Sequence, residues 1–203
     1  CDDPLVNKIW DVSEYTLQLT TREVFIDGIK RDRWAWSGDA YQSYLMNWYL
    51  FFDEACVRRT TWLLRGQDPV TSHINTIMDY SFYWFLGIYD YYMYTADKVF
   101  VSSIYPRMRT LMDWILGRTD ADGLVCGRTG DWVFIDWADG EMSKEGQLSF
   151  EQVLFVRRLP AFRKMPAVSA DSHPMSAANW SVFGTLTARP SSTISWTAGR
   201  VPR

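Results

Sequence analysis

Two stretches of helical periodicity are separated by a break within residues 27–39. It reads Asp-Gly-Ile-Lys-Arg-Asp-Arg-Trp-Ala-Trp-Ser-Gly-Asp. Gly28 and Gly38 punctuate it, so most of it is expected to be loop. Three carboxylates, Asp27, Asp32 and Asp39, alternate with Lys30, Arg31 and Arg33 and with Trp34 and Trp36. Loops held between regular elements are where binding and catalytic groups concentrate. Carboxylates beside indole faces and an arginine fork suit the gripping of a sugar and the protonation of a glycosidic oxygen. A surface loop with a salt-bridge network accounts for the same residues.

The flanking segments read as helices. Pro4 after Asp3 opens the first, expected over 4–20 with Leu5, Ile9, Val12, Thr16 and Leu19 on one face. A second starts at Ser37 or Asp39, either a good cap, and runs to about residue 52. Its stripe is Tyr41, Tyr44, Leu45, Trp48 and Phe52. The helix dipole is expected to keep Asp39 ionised there. Asp53 caps a third helix over 54–64, closed by Gly66. A fourth spans 74–95 and carries Tyr80, Tyr83, Trp84, Tyr91 and Tyr94, with Trp84 the ring expected to reach a pocket. Asp97 caps a fifth, which runs to Leu116 with Pro106 as a kink. A sixth is expected over 144–159, with Leu148, Val153, Phe155 and Val156 inward.

Between the last two helices lie two polar stretches. Residues 118–125 read as a turn, and Asp120 and Asp122 fall short of the oxygen set of a calcium loop. Asp131-Trp132 and Asp136-Trp137 then set a carboxylate beside an indole twice. They are either a second part of the site or a hairpin with exposed rings.

Composition removes several alternatives. A net charge of −3 gives no electrostatic case for nucleic acid. No apolar run is long enough for a membrane span. Three scattered cysteines form neither a disulfide framework nor a zinc spacing. Two histidines leave little for a metal site or a Ser-His-Asp triad. No cofactor and no metal site is expected. No targeting segment is legible, so the compartment stays open. From Pro160 the character changes: five of the eight prolines fall there, and Asp171 is the sole acidic residue. The tail is either a loosely packed extension or the product of a reading frame that slips near residue 159. The abrupt change inside a helix-like segment favours the slip.

The 27–39 stretch resembles the signature of the glycoside hydrolase family 78 α-L-rhamnosidases. Its common form runs Asp-Cys-Pro-x-Arg-(Asp)-Glu-Arg-x-Gly-Trp-Thr-Gly-Asp. Asp27, Arg31, Trp36, Gly38 and Asp39 fall on it. Cys1-Asp-Asp-Pro before it and Asp39-Ala-Tyr-Gln after it agree as well. The resemblance implies an all-α fold, an incomplete (α/α)6 barrel of the six-hairpin glycosidase type. Residues 1–159 would form about its first half and 160–203 an irregular tail. On that reading Cys1 opens a helical domain, and the β-sandwich domains that precede it and the later half of the barrel lie elsewhere. A lipidated N-terminal cysteine is the other account of Cys1.

The implied activity is inverting hydrolysis of terminal α-L-rhamnose from bacterial-type glycosides or oligosaccharides. Asp32 stands at the general-acid position, where the family has Glu, and Gly28-Ile29 replace its Cys-Pro. Burial beside Trp34 and Trp36 is expected to favour the proton on Asp32. Asp27 and Asp39 are expected to accept bonds from sugar hydroxyls, and Arg31 to orient a carboxylate or hydroxyl. Trp36, Trp84, Trp132 and Trp137 are expected to wall the sugar, with Asp131 and Asp136 in the adjoining loop. The general base of the family has no counterpart here, so the chain alone is expected to be inactive. The rivals are another six-hairpin glycosidase, a non-catalytic carbohydrate-binding remnant, and a purely structural helical domain.

Overall fold

A computed structural model describes residues 1–134 and 144–164, with side chains through residue 157. Six α-helices make up most of it: α1 Pro4–Thr20, α2 Ser37–Leu50, α3 Glu54–Leu64, α4 Met78–Thr95, α5 Lys98–Leu116 and α6 Ser149–Lys164. A 3-10 turn, Ile74–Thr76, precedes α4. The short strands β1, Cys126–Gly127, and β2, Gly146–Gln147, pair antiparallel before α6. The fold is all-α and corresponds to an incomplete six-hairpin barrel.

Capping fixes most helix starts. Asp3 accepts the Leu5 and Val6 amides with Pro4 in the first position. Asp53 and Asp97 cap α3 and α5 through the Cys56 and Phe100 amides. Each such bond contributes about 1 kcal/mol. α2 is different: its cap is Trp36, whose own side chain makes no capping bond. Asp39 lies in its first turn instead.

α4 is the centre of the molecule. It packs against α2, α3, α5 and α6, and Phe82, Phe85, Ile88 and Tyr91 along it are fully buried. Gly87 lets α2 approach: a Cβ there would meet the Tyr44 ring at 2.9 Å. Tyr80 at the start of α4 bonds Asp39 at the start of α2, and Tyr94 near its end bonds Tyr49 near the end of α2. The two helices are therefore parallel. Phe82 packs edge-on to Phe155 of α6, while Asp79 faces Glu151. The starts of α2, α4 and α6 thus gather at one end, together with the loops that lead into them.

Several sequence expectations need correction. The α1 stripe does not face the core: Leu5, Ile9 and Val12 are exposed, and only Leu17 and Thr20 in the last turns are buried. α1 packs on α2. The fourth helix does not begin at residue 74, because Asn75 and Thr76 adopt left-handed backbone angles (φ 51° and 66°). α6 starts at Ser149 because Gly146 and Gln147 are taken up by β2. Its inward face is Glu151, Leu154 and Phe155, whereas Val153 and Val156 are exposed. Phe52 is likewise exposed, beyond the end of α2. The expected division at residue 159 falls within α6.

Candidate active site

The 27–39 loop is closed on itself and fastened below. Asp27 and Trp34 exchange backbone and side-chain bonds: Asp27 N–H donates to Trp34 O, and Trp34 N–H donates to Asp27 Oδ1, both at 2.9 Å. Residues 28–33 form the projecting tip, with Arg33 left-handed (φ 52°). The base is held by Asn75. Its Oδ1 accepts Ser37 N–H at 2.9 Å and its amide donates to Ala35 O at 3.2 Å. These bonds bracket Trp36 and set the start of α2. Left-handed backbone is tolerated best by Gly and Asn among ordinary residues, which suits Asn75 to this place.

Asp39 follows one turn later. Tyr80 Oη–H donates to its Oδ2 at 3.3 Å, and Tyr80 stands edge-on to Trp36. Burial raises the Asp39 pKa above the ordinary carboxylate value. Backbone hydrogen bonding opposes this, while the charges of Asp27 and Asp32 add to it. Burial is the largest of these influences, and the Tyr80 hydrogen bond joins the backbone in opposing it. The same balance places Asp27 and Asp32 within electrostatic reach of Asp39. Trp36 Nε1 and Ser37 Oγ are buried beside them with no hydrogen-bond partner among the described residues, an arrangement uncommon in folded proteins.

Asp32 is not enclosed as expected. Its side chain is 38 % exposed and pairs with Arg31 at 3.2 Å, and Trp34 is 58 % exposed. Asp32 lies in the projecting tip, between the fastened residues 27 and 34.

The second stretch crosses the start of α4. Met78 N–H donates to Trp132 O at 2.9 Å, and residue 132 bridges Ile77. Phe134 N–H donates to Asp79 Oδ2 at 2.7 Å, and the Phe134 ring meets Tyr80. Trp132 is 43 % exposed. Asp131 is taken up by Arg118, which grips both its oxygens at 2.6 and 2.7 Å. A carboxylate with two short guanidinium bonds is a structural partner, so Asp131 braces the loop. The arrangement is an acidic cluster with aromatic surroundings, suited to hydrogen-bonding a polyhydroxylated ligand.

Comparison with known proteins settles the family. A family model described as the bacterial alpha-L-rhamnosidase 6 hairpin glycosidase domain matches residues 1–181. The chain belongs to this family. Two solved structures share its fold. One is the GH78 family rhamnosidase of Bacillus sp. GL1, with a TM-score of 0.74 and 24 % identity over 92 % of this chain and 20 % of that one. The other is a rhamnosidase from Klebsiella oxytoca with rhamnose bound, with a TM-score of 0.74 and 26 % identity over 92 % of this chain and 37 % of that one. The chain thus spans well under half the length of either. No curated protein matches it significantly.

In this rhamnosidase-type glycosidase domain, Asp27, Asp32, Trp36 and Asp39 come together, and Trp132 approaches from the loop before α6. Trp84 does not join them. It is 3 % exposed and donates from Nε1 to Thr61 O at 3.0 Å, because its position on α4 faces α3. Asp136 and Trp137 lie outside the described residues. Sequence reasoning missed Asn75, Tyr80, Asp79 and Glu151. Asp79 and Glu151 are both 0 % exposed. Burial, then the charge of Asp79, pushes the Glu151 pKa up to about 10. A carboxylate at the head of so aromatic a helix, Met78-Asp79-Tyr80-Ser81-Phe82, was the available signal for Asp79. Glu151 had none. His73, at the loop into α4, is buried against Ser81, and burial holds its pKa down at about 4.

Proposed function

We propose that this domain recognises terminal α-L-rhamnose and belongs to an enzyme that hydrolyses rhamnosides with inversion. The observation carrying the reading is the gathering of Asp27, Asp32 and Asp39 where α2 begins, within a chain of this family. The rhamnose bound to the Klebsiella oxytoca relative supports the sugar. In this scheme Asp32 protonates the leaving oxygen. Asp27 and Asp39 accept sugar hydroxyls, Arg31 orients the acid, and Trp36 and Trp132 flank the ring and its methyl group. An inverting reaction also needs a carboxylate about 6.5–9.5 Å from the acid to activate water. We place that base outside residues 1–159, so these residues alone bind sugar without turning it over.

The exposure of Asp32 and its pairing with Arg31 favour a second reading, a domain that binds and does not catalyse, because general acids are usually held in enclosed apolar sites. An assay of aryl α-L-rhamnoside and aryl β-D-glucoside hydrolysis separates the two. In an enzyme carrying the whole barrel, rhamnoside is cleaved preferentially and the product's first anomer is inverted. Asp32→Asn lowers the rate at least about a hundredfold. Near-normal hydrolysis by that variant removes Asp32 from the acid role.

A further inference from the structure

Two carboxyls lie side by side in the interior, behind the Asp27–Asp32–Asp39 cluster. Asp79 sits in the first turn of α4 and Glu151 in the first turn of α6. Both are wholly buried, and among the described groups burial and Asp79 are what act on Glu151. Neither Glu151 oxygen has an aligned hydrogen-bond partner among the described residues. Two buried carboxyls in contact do not both ionise; one keeps its proton. Asp79 Oδ2 already accepts Phe134 N–H, whereas neither Glu151 oxygen meets such a donor among the described residues. The proton therefore belongs on Glu151.

The consequence is positional. The Asp79–Phe134 bond, the Met78–Trp132 bond and the bridge between Ile77 and Trp132 lash residues 132–134 across the start of α4. Tyr80, next to Asp79, touches Phe134 with its ring and Asp39 with its hydroxyl. Asp79 holds the Phe134 end of this lashing, two residues beyond Trp132.

We propose that Asp79 and Glu151 are a positioning pair, in which protonated Glu151 donates to Asp79 and so keeps Asp79 as the anchor of the Trp132 loop. The importance of the pair for sugar affinity rests on the reading of Trp132 as a wall of the rhamnose site. The anchoring itself does not.

The test is NMR on the 203-residue chain, with carboxyl-carbon shifts, amide exchange and an L-rhamnose titration. At pH 7 the Glu151 carboxyl carbon is expected at its protonated position. Glu151→Gln, a neutral donor of the same shape, is expected to leave Phe134 amide protection within about twofold, while Glu151→Leu lowers it at least about tenfold. Asp79→Asn removes the like charge, so the Glu151 carbon is expected to move toward its ionised position even where the Leu variant fails to fold. L-rhamnose affinity is expected to follow Phe134 protection across the variants. An ionised Glu151 at pH 7, or equal effects of Gln and Leu on Phe134, overturns the pair. Rhamnose affinity unchanged in a folded Leu variant that has lost Phe134 protection overturns its role at the site. Intact anchoring with no rhamnose binding in any form supports the pair and defeats the rhamnose reading.

Discussion

Replacing Glu151 with Gln is expected to stabilise the protein, by an amount that grows with pH. The carboxyl has an ordinary pKa of 4.5 and a folded value of about 10. Between these values the folded state holds a proton that the unfolded state has released. Stability contributed by this group is therefore full below pH 4.5 and is lost as pH rises toward 10. Neutral pH lies two and a half units above the ordinary value. At about 1.4 kcal/mol per unit the cost there is about 3 kcal/mol. That figure depends only on the unfolded value as long as the folded one stays above 7. Gln fills the same space, can donate toward Asp79 and needs no proton. Urea unfolding of both proteins at about pH 4.5, 6 and 7.5 gives the comparison. The difference is expected to be near zero at the lowest pH and to reach about 3 kcal/mol near neutrality, a large part of the 5–15 kcal/mol typical of a folded domain. A Gln variant that is less stable at neutral pH, or a gap independent of pH, refutes the reasoning.

His73 acts in the opposite direction. Its folded value of about 4 lies below the ordinary 6.5, so stability falls as pH drops through that window, by up to about 3 kcal/mol. Calorimetry of His73→Gln is expected to show a shallower loss there. Gly38→Ala places a Cβ 2.7 Å from Tyr80 Cε1. It is expected to cost about 1–3 kcal/mol and to weaken sugar binding by moving Tyr80 off Asp39; an unchanged melting temperature argues against that close approach. Trp84→Phe removes the bond to Thr61 O and is expected to lower stability by about 1 kcal/mol with no loss of sugar affinity. Trp132→Ala is expected to do the reverse, as read by thermal melts and sugar titrations of the two variants.

The helices were legible where the sequence carries its own punctuation. Asp3-Pro4, Asp53 and Asp97 are caps that act within a few residues, and α1, α3 and α5 begin where they dictate. The starts of α4 and α6 were misplaced because long-range bonds decide them. Asn75 is left-handed while it clasps residues 35 and 37, and Gly146 is drawn into a strand with Gly127. The same distinction holds at the site. Asp27, Trp36 and Asp39 could be read from one short stretch, and the family follows from that stretch and its surroundings. Trp84 could not be assigned, because an aromatic stripe on α4 does not reveal which neighbour each ring meets. Tyr80 and Glu151 owe their importance to helices brought together by packing. Exposure of the Asp32 tip likewise depends on where the loop is fastened.

The most direct measurement is a calorimetric titration of the chain with L-rhamnose and, at matched concentrations, with D-glucose, repeated on Asp39→Asn. The carboxylate cluster predicts saturable binding of L-rhamnose, weaker binding of D-glucose, and loss of the L-rhamnose signal in the variant. Absence of saturable binding, or equal binding of the two sugars unaffected by Asp39→Asn, contradicts it.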